Sequence, residues 1–252
     1  PRTREAMHTI HQRIDETKAI RRELRQTKSR AKRPTYATGQ STQMIVGADG
    51  SCDFDFLDRA QDLYGNFKLK RVYYSAFSPI PEPSVILPLK SPPLVREHRL
   101  YQADWLMRFY GYEVAEIASK KHPNLDLDID PKLSWALRNR QVFPIDINSA
   151  PIEWLLRIPG LGVRNAQRIV RLRRHHAVEY RDLIKLRANL KKMQPFMICA
   201  DHHPAQREVS NENLRARFAP PTEQLELNFH ASEPPMKQAT RRASREAWHG
   251  EF

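Results

Sequence analysis

Cysteine is scarce: Cys52 and Cys199 are the two in 252 residues. Two thiols cannot build a disulfide scaffold, a four-Cys zinc site or a three-Cys iron–sulfur site. No apolar run reaches the roughly 18 residues of a membrane span, so no membrane partner is expected. No signal or transit segment is recognisable at the N-terminus, and a cytoplasmic location is expected. The chain starts Pro1-Arg2-Thr3 without an initiator Met, which reads as a fragment or a processed chain. Hydrophobic residues reach only 40%, leaving room for polar tails. Acidic residues are also in deficit, 29 against 42 Lys+Arg, for a net charge of +13. That charge points to a polyanionic partner, although charge sets attraction and solubility rather than fold.

The excess is localised. Residues 1–33 carry 11 Lys+Arg against 4 Asp+Glu, and residues 151–192 carry 11 against 3. The remainder of the chain is slightly acidic.

Residues 4–26 have helical periodicity, with Met7, Ile10, Ile14 and Leu24 on one face. Residues 39–47 read as a short buried strand. Asp53 is placed to cap a helix with Phe56, Leu57, Ala60, Leu63 and Tyr64 inward and Gly65 as its stop. Residues 70–77 read as a second, aromatic-rich strand. Strand, helix, strand within about 35 residues is a βαβ pattern, with parallel strands expected. Two strands alone do not make a stable sheet. A Pro-rich connector over 80–93 leads into a helix from Leu94 to Tyr110. Its inward face is read as Leu94, Tyr101, Trp105 and Phe109, with Gln102 and Asp104 on the polar side. A short helix is expected around Glu113–Ser119. Asp130-Pro131 is a cap-then-proline helix start. The expected organisation is residues 1–92, a helical connector over 93–142, a helical domain over 143–200, and a disordered tail over 201–252. Within the tail, Gln224–Phe229 is a candidate partner-binding segment.

The most informative stretch runs from Asp146 to Val170. Ser149 or Asn148 is placed to cap a helix over 151–157. Pro159-Gly160-Leu161-Gly162 is a tight turn, read as using the backbone freedom of both glycines. A second helix begins near Val163, with Ala166, Ile169, Val170 and Leu172 inward. This stretch resembles a helix-hairpin-helix motif, through its Ile-Asn-x-Ala lead, its Ile-Pro-Gly-Leu-Gly turn, and an Ala four residues past the second Gly. The resemblance implies a clamp on the DNA backbone. It assigns phosphate contacts to Gly160, Leu161, Gly162, Val163, Arg164, Asn165 and Arg168. Helix N-termini suit this task because their orphan amides and dipole attract anions. Such contacts position a protein without reading sequence, and RNA stays open as a partner beside DNA. Glu179–Met197 is expected to supply two further helices as a glycine-free packing partner. Asp182 falls where some DNA glycosylases carry a catalytic acid, but an early helical turn favours the acid on structural grounds.

A wider resemblance covers roughly residues 1–200. Residues 40–47, Arg71–Pro81, Arg96–Leu106 and Asn124–Lys132 are similar to the C-terminal portion of the putative DNA modification/repair radical SAM family, which ends in a helix-hairpin-helix domain. The resemblance implies an α/β fold followed by an α domain: the incomplete end of a (β/α) barrel, then the hairpin domain. It implies that Ser41, Gln43, Tyr73, Ser75 and Phe77 border the pocket for S-adenosyl-L-methionine. It further implies a [4Fe–4S] cluster and S-adenosyl-L-methionine in the intact family protein, and other DNA repair proteins as partners. The family's CxxxCxxC motif is absent from this sequence, so no cofactor is expected on this chain alone, nor radical chemistry. The alternative is a non-catalytic DNA-binding or adaptor protein. Asp126, Asp128 and Asp130 are read as a loop leading to a helix cap rather than as a metal site.

Overall fold

A computed structural model describes residues 2–28, 31–79, 87–204 and 212–219. The candidate segment Gln224–Phe229, most of the expected tail and residues 80–86 of the connector lie outside them. The chain divides into two compact units, Pro1–Pro93 and Leu94–Phe252. The expected connector and hairpin domain therefore share one unit.

The first unit holds α1 (Arg2–Gln26), β1 (Ser41–Val46), α2 (Asp53–Phe67) and β2 (Arg71–Ala76). β1 and β2 pair in parallel, with Thr42 opposite Val72 and Met44 opposite Tyr74. The strand–helix–strand expectation therefore gives a parallel pair. Alternation along the strands divides their side chains between two faces. Val46, Val72 and Tyr74 are buried with Phe56, Leu57, Ala60 and Leu63 of α2. Tyr64 reaches the sheet as well, where its hydroxyl oxygen accepts the Val72 N–H at 2.9 Å.

Two local expectations are corrected. The α2 cap is Cys52, not Asp53: the Asp55 carboxylate accepts both the Cys52 amide (2.9 Å) and its thiol (3.0 Å). Asp53 is instead the first helical residue and is buried. Gly65 does not stop the helix either. It continues to Phe67 and ends where Lys68 turns left-handed, at φ 50°. A glycine inside a helix weakens it by about 1 kcal/mol, which tertiary packing overrides.

The second unit begins with α3 (Leu94–Tyr110), α4 (Val114–Ile117) and α5 (Pro131–Arg138). The boundaries of α3 are those expected, but its inward face is not. Leu100, Ala103, Leu106 and Tyr110 are buried, while Leu94 and Phe109 are about half exposed. Gln102 and Asp104, read as surface residues, are buried too. Arg99 donates to the side-chain amide oxygen Oε1 of Gln102 (2.8 Å), and Arg108 pairs with Asp104 (3.4 Å). Both stripes of α3 are apolar at helical spacing, so periodicity cannot choose between them. Packing of α3 against α5 chooses the stripe that includes small Ala103.

Asp130 caps α5 as expected, accepting the Leu133 amide at 2.9 Å, with Pro131 at the first helical position. Past α5, β3 (Ile145–Asp146) leads into α6 (Ile152–Leu155), α7 (Val163–Leu172), α8 (Tyr180–Lys185) and α9 (Leu190–Met193), and the chain returns as β4 (Met197–Ile198). β3 and β4 pair in parallel and tie the start of the four-helix segment to its end. Edge-to-face ring contacts link Tyr112 to Trp135, Trp135 to Phe143 and Phe143 to Phe196 beneath it. The architecture is thus mixed α/β with two small sheets, and no barrel closes among the described residues.

The expected disordered tail is partly ordered. Residues 212–219 include a helical turn, Leu214 in it is fully buried, and Arg215 pairs with Asp126 and Asp128.

Candidate nucleic-acid interface

Segments 151–173 and 179–193 each form a short hairpin of two helices. In the first, α6 ends in a turn at Pro159-Gly160 and α7 starts after Gly162. The caps differ from expectation: Pro151 occupies the N-cap of α6. Ser149 donates instead to Asp146 (2.8 Å), and Asn148 bonds the Val178 amide (2.7 Å) and carbonyl (3.2 Å). Asn148 therefore staples the lead of the first hairpin to the entry of the second.

Only one of the two glycines needs an unusual backbone. Gly160 has φ +80°, whereas Gly162 is extended at φ −86° and serves as the N-cap of α7. Gly160 is also a point of close approach. A Cβ there would lie 2.8 Å from the Asn189 carbonyl oxygen and 2.9 Å from the Lys192 Cβ. The turn thus rests against the start of α9. The second hairpin has no glycine, and Arg187 takes its left-handed position at φ 55°. Asn189 follows as the α9 cap, accepting the Lys192 amide.

Beneath the first turn lies a residue that sequence reasoning passed over. Lys132 of α5 is 1% exposed, and its ammonium donates to the Leu161 carbonyl at 2.6 Å. The same nitrogen sits 4.7 Å from the centre of the Tyr110 ring. Burial lowers its pKa to about 7, Arg157 and Lys192 push the same way, and Asp130 opposes them. Asp130 itself pairs with Lys192 at 3.0 Å, so α5, the turn and α9 share one network. Burial and Lys192 act in opposite senses on Asp130, and its pKa ends below the usual value. Lys132 sits two residues after a recognised cap, on an amphipathic helix, but a lone lysine carries no sequence signal of burial.

The seven residues assigned to phosphate contact separate by side. Gly160, Leu161, Gly162 and Asn165 are buried, Val163 is half-buried, and Arg164 and Arg168 are exposed. The Leu161 amide is spent internally on the Ile158 carbonyl (3.2 Å). The first bond of α7 runs from the Ala166 amide to the Gly162 carbonyl (2.9 Å). The amides of Val163, Arg164 and Asn165 precede it, so no carbonyl of their own helix can take them. Arg164, Arg168 and Arg171 follow at i, i+4 and i+7, one stripe on the exposed side of α7. Ala166 and Ile169 are buried on the opposite side.

The basic block around this hairpin has two populations. Arg173 is structural, donating to the carbonyls of Ile147 (3.1 Å) and Ala150 (2.6 Å). So is Arg157, which bonds the Gly111 carbonyl and Glu116 and stacks 3.7 Å from the Tyr112 ring centre. Arg164, Arg168, Arg171, Arg174, Lys185, Arg187 and Lys191 are exposed.

Asp182 is the third residue of α8 and forms a capping box with Glu179, accepting its amide at 3.2 Å. His176 lies 3.1 Å away. The Glu179 amide, then His176, hold the carboxyl below its usual pKa, which keeps it ionised. These are the partners of a helix-start acid. Asp126 likewise folds a loop by accepting the Asp128 and Ile129 amides.

The five residues assigned to the S-adenosyl-L-methionine pocket lie in the first unit. Ser41, Gln43, Tyr73 and Ser75 all project from the sheet face opposite α2, and Gln43 bonds the Ser75 hydroxyl. Phe77 continues that alternation just past β2, and its amide donates to the Val46 carbonyl (2.9 Å). The cysteines do not fit a cluster. Cys52 is engaged as a helix cap. Burial and the Asp201 contact push the Cys199 thiol up to about 11, away from a thiolate ligand.

No family model, curated protein or solved structure matches this chain.

Proposed function

We propose that the second unit binds the DNA backbone without sequence preference, and that the chain is the C-terminal part of a radical SAM-type protein of DNA repair or modification. One observation carries the DNA reading. A Gly160–Gly162 turn, propped from inside by Lys132, ends in a helix whose first-turn amides have no helical partner and whose exposed stripe is Arg164, Arg168 and Arg171. Helix-start amides left without a helical partner, next to exposed guanidiniums, suit a phosphate. Base edges require donors and acceptors that enter a groove, which this short helix start does not supply.

The barrel reading rests on the resemblance. It is supported by a parallel strand pair whose face opposite α2 carries Ser41, Gln43, Tyr73 and Ser75. A radical SAM cofactor pair supplies one-electron chemistry when bound; this chain's part would be to border the S-adenosyl-L-methionine pocket. Its two cysteines do not offer a cluster site. The reading frame upstream of Pro1 separates this from the adaptor reading. A CxxxCxxC motif with earlier βα units supports the enzyme, and an immediate start codon sinks it.

The DNA reading is tested by fluorescence anisotropy with two unrelated duplexes over a salt series. Arg164→Glu combined with Arg168→Glu is expected to weaken both duplexes at least tenfold and alike. Two lost phosphate contacts also flatten the salt slope by about two. Unchanged affinity and slope would refute the assignment.

A further inference from the structure

The charge of the first unit is concentrated in one place. Residues 18–33 carry eight Lys+Arg against a single acid, Glu23. Residues 1–17 carry three against three, and residues 34–93 carry five against six. The two halves of α1 differ accordingly. In the first half Arg4 pairs with Asp62 (2.8 Å), and His11 lies 3.3 Å from Asp15. In the second half Lys18 reaches back to Asp15 at 3.1 Å. Arg22 and Arg25, and Lys28, Lys32 and Arg33 beyond the helix, are exposed and form no ion pair among the described residues.

Neither solubility nor the helix dipole accounts for this pattern. A face kept merely soluble mixes both signs, as the first half of α1 does. A helix C-terminus favours cations only within its last turn, which here holds Arg25 but not Lys18, Arg21 or Arg22. Like charges four residues apart, Lys18 with Arg22 and Arg21 with Arg25, weaken a helix instead. Lys28 takes the left-handed position after the helix at φ 48°, where glycine is usual. Lys18, Arg22 and Arg25 stand at i, i+4 and i+7 and are all exposed, so they form one stripe. Arg164, Arg168 and Arg171 have the same spacing on α7.

We propose that the C-terminal half of α1 is a second contact for the DNA phosphate backbone, carried by the first unit. The stripe is about 10 Å long at the rise of a helix. A duplex offers one phosphate charge per about 1.7 Å of its axis, so Arg22 and Arg25 can meet phosphates at the same time. Guanidinium is the side chain best matched to phosphate oxygens, and here two guanidiniums have no internal partner to give up. An anionic membrane is the other extended polyanion. It calls for an apolar helix face with Trp, Phe or Leu beside the charge. Helix α1 has no Phe, Tyr or Trp, and Ile14 on its apolar face is already buried within the unit. The proposal rests on the DNA reading only for the identity of the polyanion, because none of its residues belongs to the hairpins.

The full chain is assayed by anisotropy against two unrelated duplexes over a salt series, with circular dichroism to check that each variant is folded. Arg22→Glu combined with Arg25→Glu is expected to weaken both duplexes about tenfold and to flatten the salt slope by about two. Arg22→Gln with Arg25→Gln should flatten the slope as much, with a smaller loss of affinity. Arg2→Glu with Arg13→Glu changes the net charge equally in the balanced half of α1, and should leave the slope within about half a unit of the native value. Unchanged affinity and slope in both Arg22 and Arg25 pairs overturn the proposal. So does an equal loss in the Arg2 and Arg13 pair, which would leave only attraction by net charge. It is also overturned if the Arg22 and Arg25 pairs spare DNA but release the chain from phosphatidylserine vesicles. The Arg164→Glu and Arg168→Glu variant separates the two contacts. A loss confined to that variant keeps the hairpin and refutes the α1 contact, and a loss confined to the α1 pairs does the reverse.

Discussion

Lys132 shows most clearly what one residue does here. A lysine buried to 1% exposure is costly unless its charge is offset, and here one carbonyl, one ring face and Asp130 offset it only in part, since burial still lowers its pKa to about 7. The sign of its pH effect follows from the shift. Unfolded, the ammonium keeps its proton to about 10.5; folded, only to about 7. Between those values the unfolded state binds more protons, so this group makes the fold more stable as pH rises from 7 and less stable as it falls back. The slope per proton is at most about 1.4 kcal/mol per pH unit. Chemical denaturation at pH 7, 8 and 9 should show stability rising in the native chain more steeply than in Lys132→Met. Parallel pH profiles would remove Lys132 as the titrating group. The sequence marked the cap two residues earlier but not this burial, because the partner is a carbonyl 29 residues away.

At the scale of elements, the two hairpins depend on each other through Gly160. Its φ of +80° strains any side chain, and a Cβ would press into Asn189 and Lys192. Gly160→Ala is therefore expected to destabilise the second unit by about 2 kcal/mol, from backbone strain and overpacking together. Gly162→Ala should cost less, since its extended backbone suits any residue. Urea unfolding of the two variants checks the order, and equal losses would contradict it. The motif itself was legible, because a turn at fixed spacing between apolar positions is local information. The asymmetry between the two glycines was not, since it arises from the neighbouring hairpin. The same holds for α3, where two apolar stripes compete and only α5 selects Leu100, Ala103, Leu106 and Tyr110.

Across the whole molecule the two units differ in how completely they are covered. Among the described residues the first rests on one parallel strand pair with α2 on one face, and Ile45 and Tyr73 are each 44% exposed on the other. Parallel sheets are normally buried on both faces, and two strands give little independent stability. In the second unit Leu133, Phe143, Phe196 and Ile169 are all buried, and the rings of Phe143 and Phe196 meet edge to face. Hydrogen exchange should therefore be at least tenfold faster at the amides of Met44 and Tyr74 than at those of Leu133 and Ile169. Equal protection would mean that the open sheet face is covered in solution.

The net charge of +13 shows what each level of information decided. Composition and spacing alone located the basic block at 151–192, placed a two-glycine turn within it, and paired a strand, a helix and a strand in parallel. Periodicity, turn chemistry and caps act between residues a few positions apart, so they can be read directly along the chain. Only the tertiary structure divided the arginines, turning Arg157 and Arg173 inward to carbonyls and leaving Arg164, Arg168 and Arg171 exposed. Only it set Lys132 beneath the turn. Those roles depend on groups far apart in sequence, and a charged side chain has the same composition whether it binds a carbonyl or faces solvent.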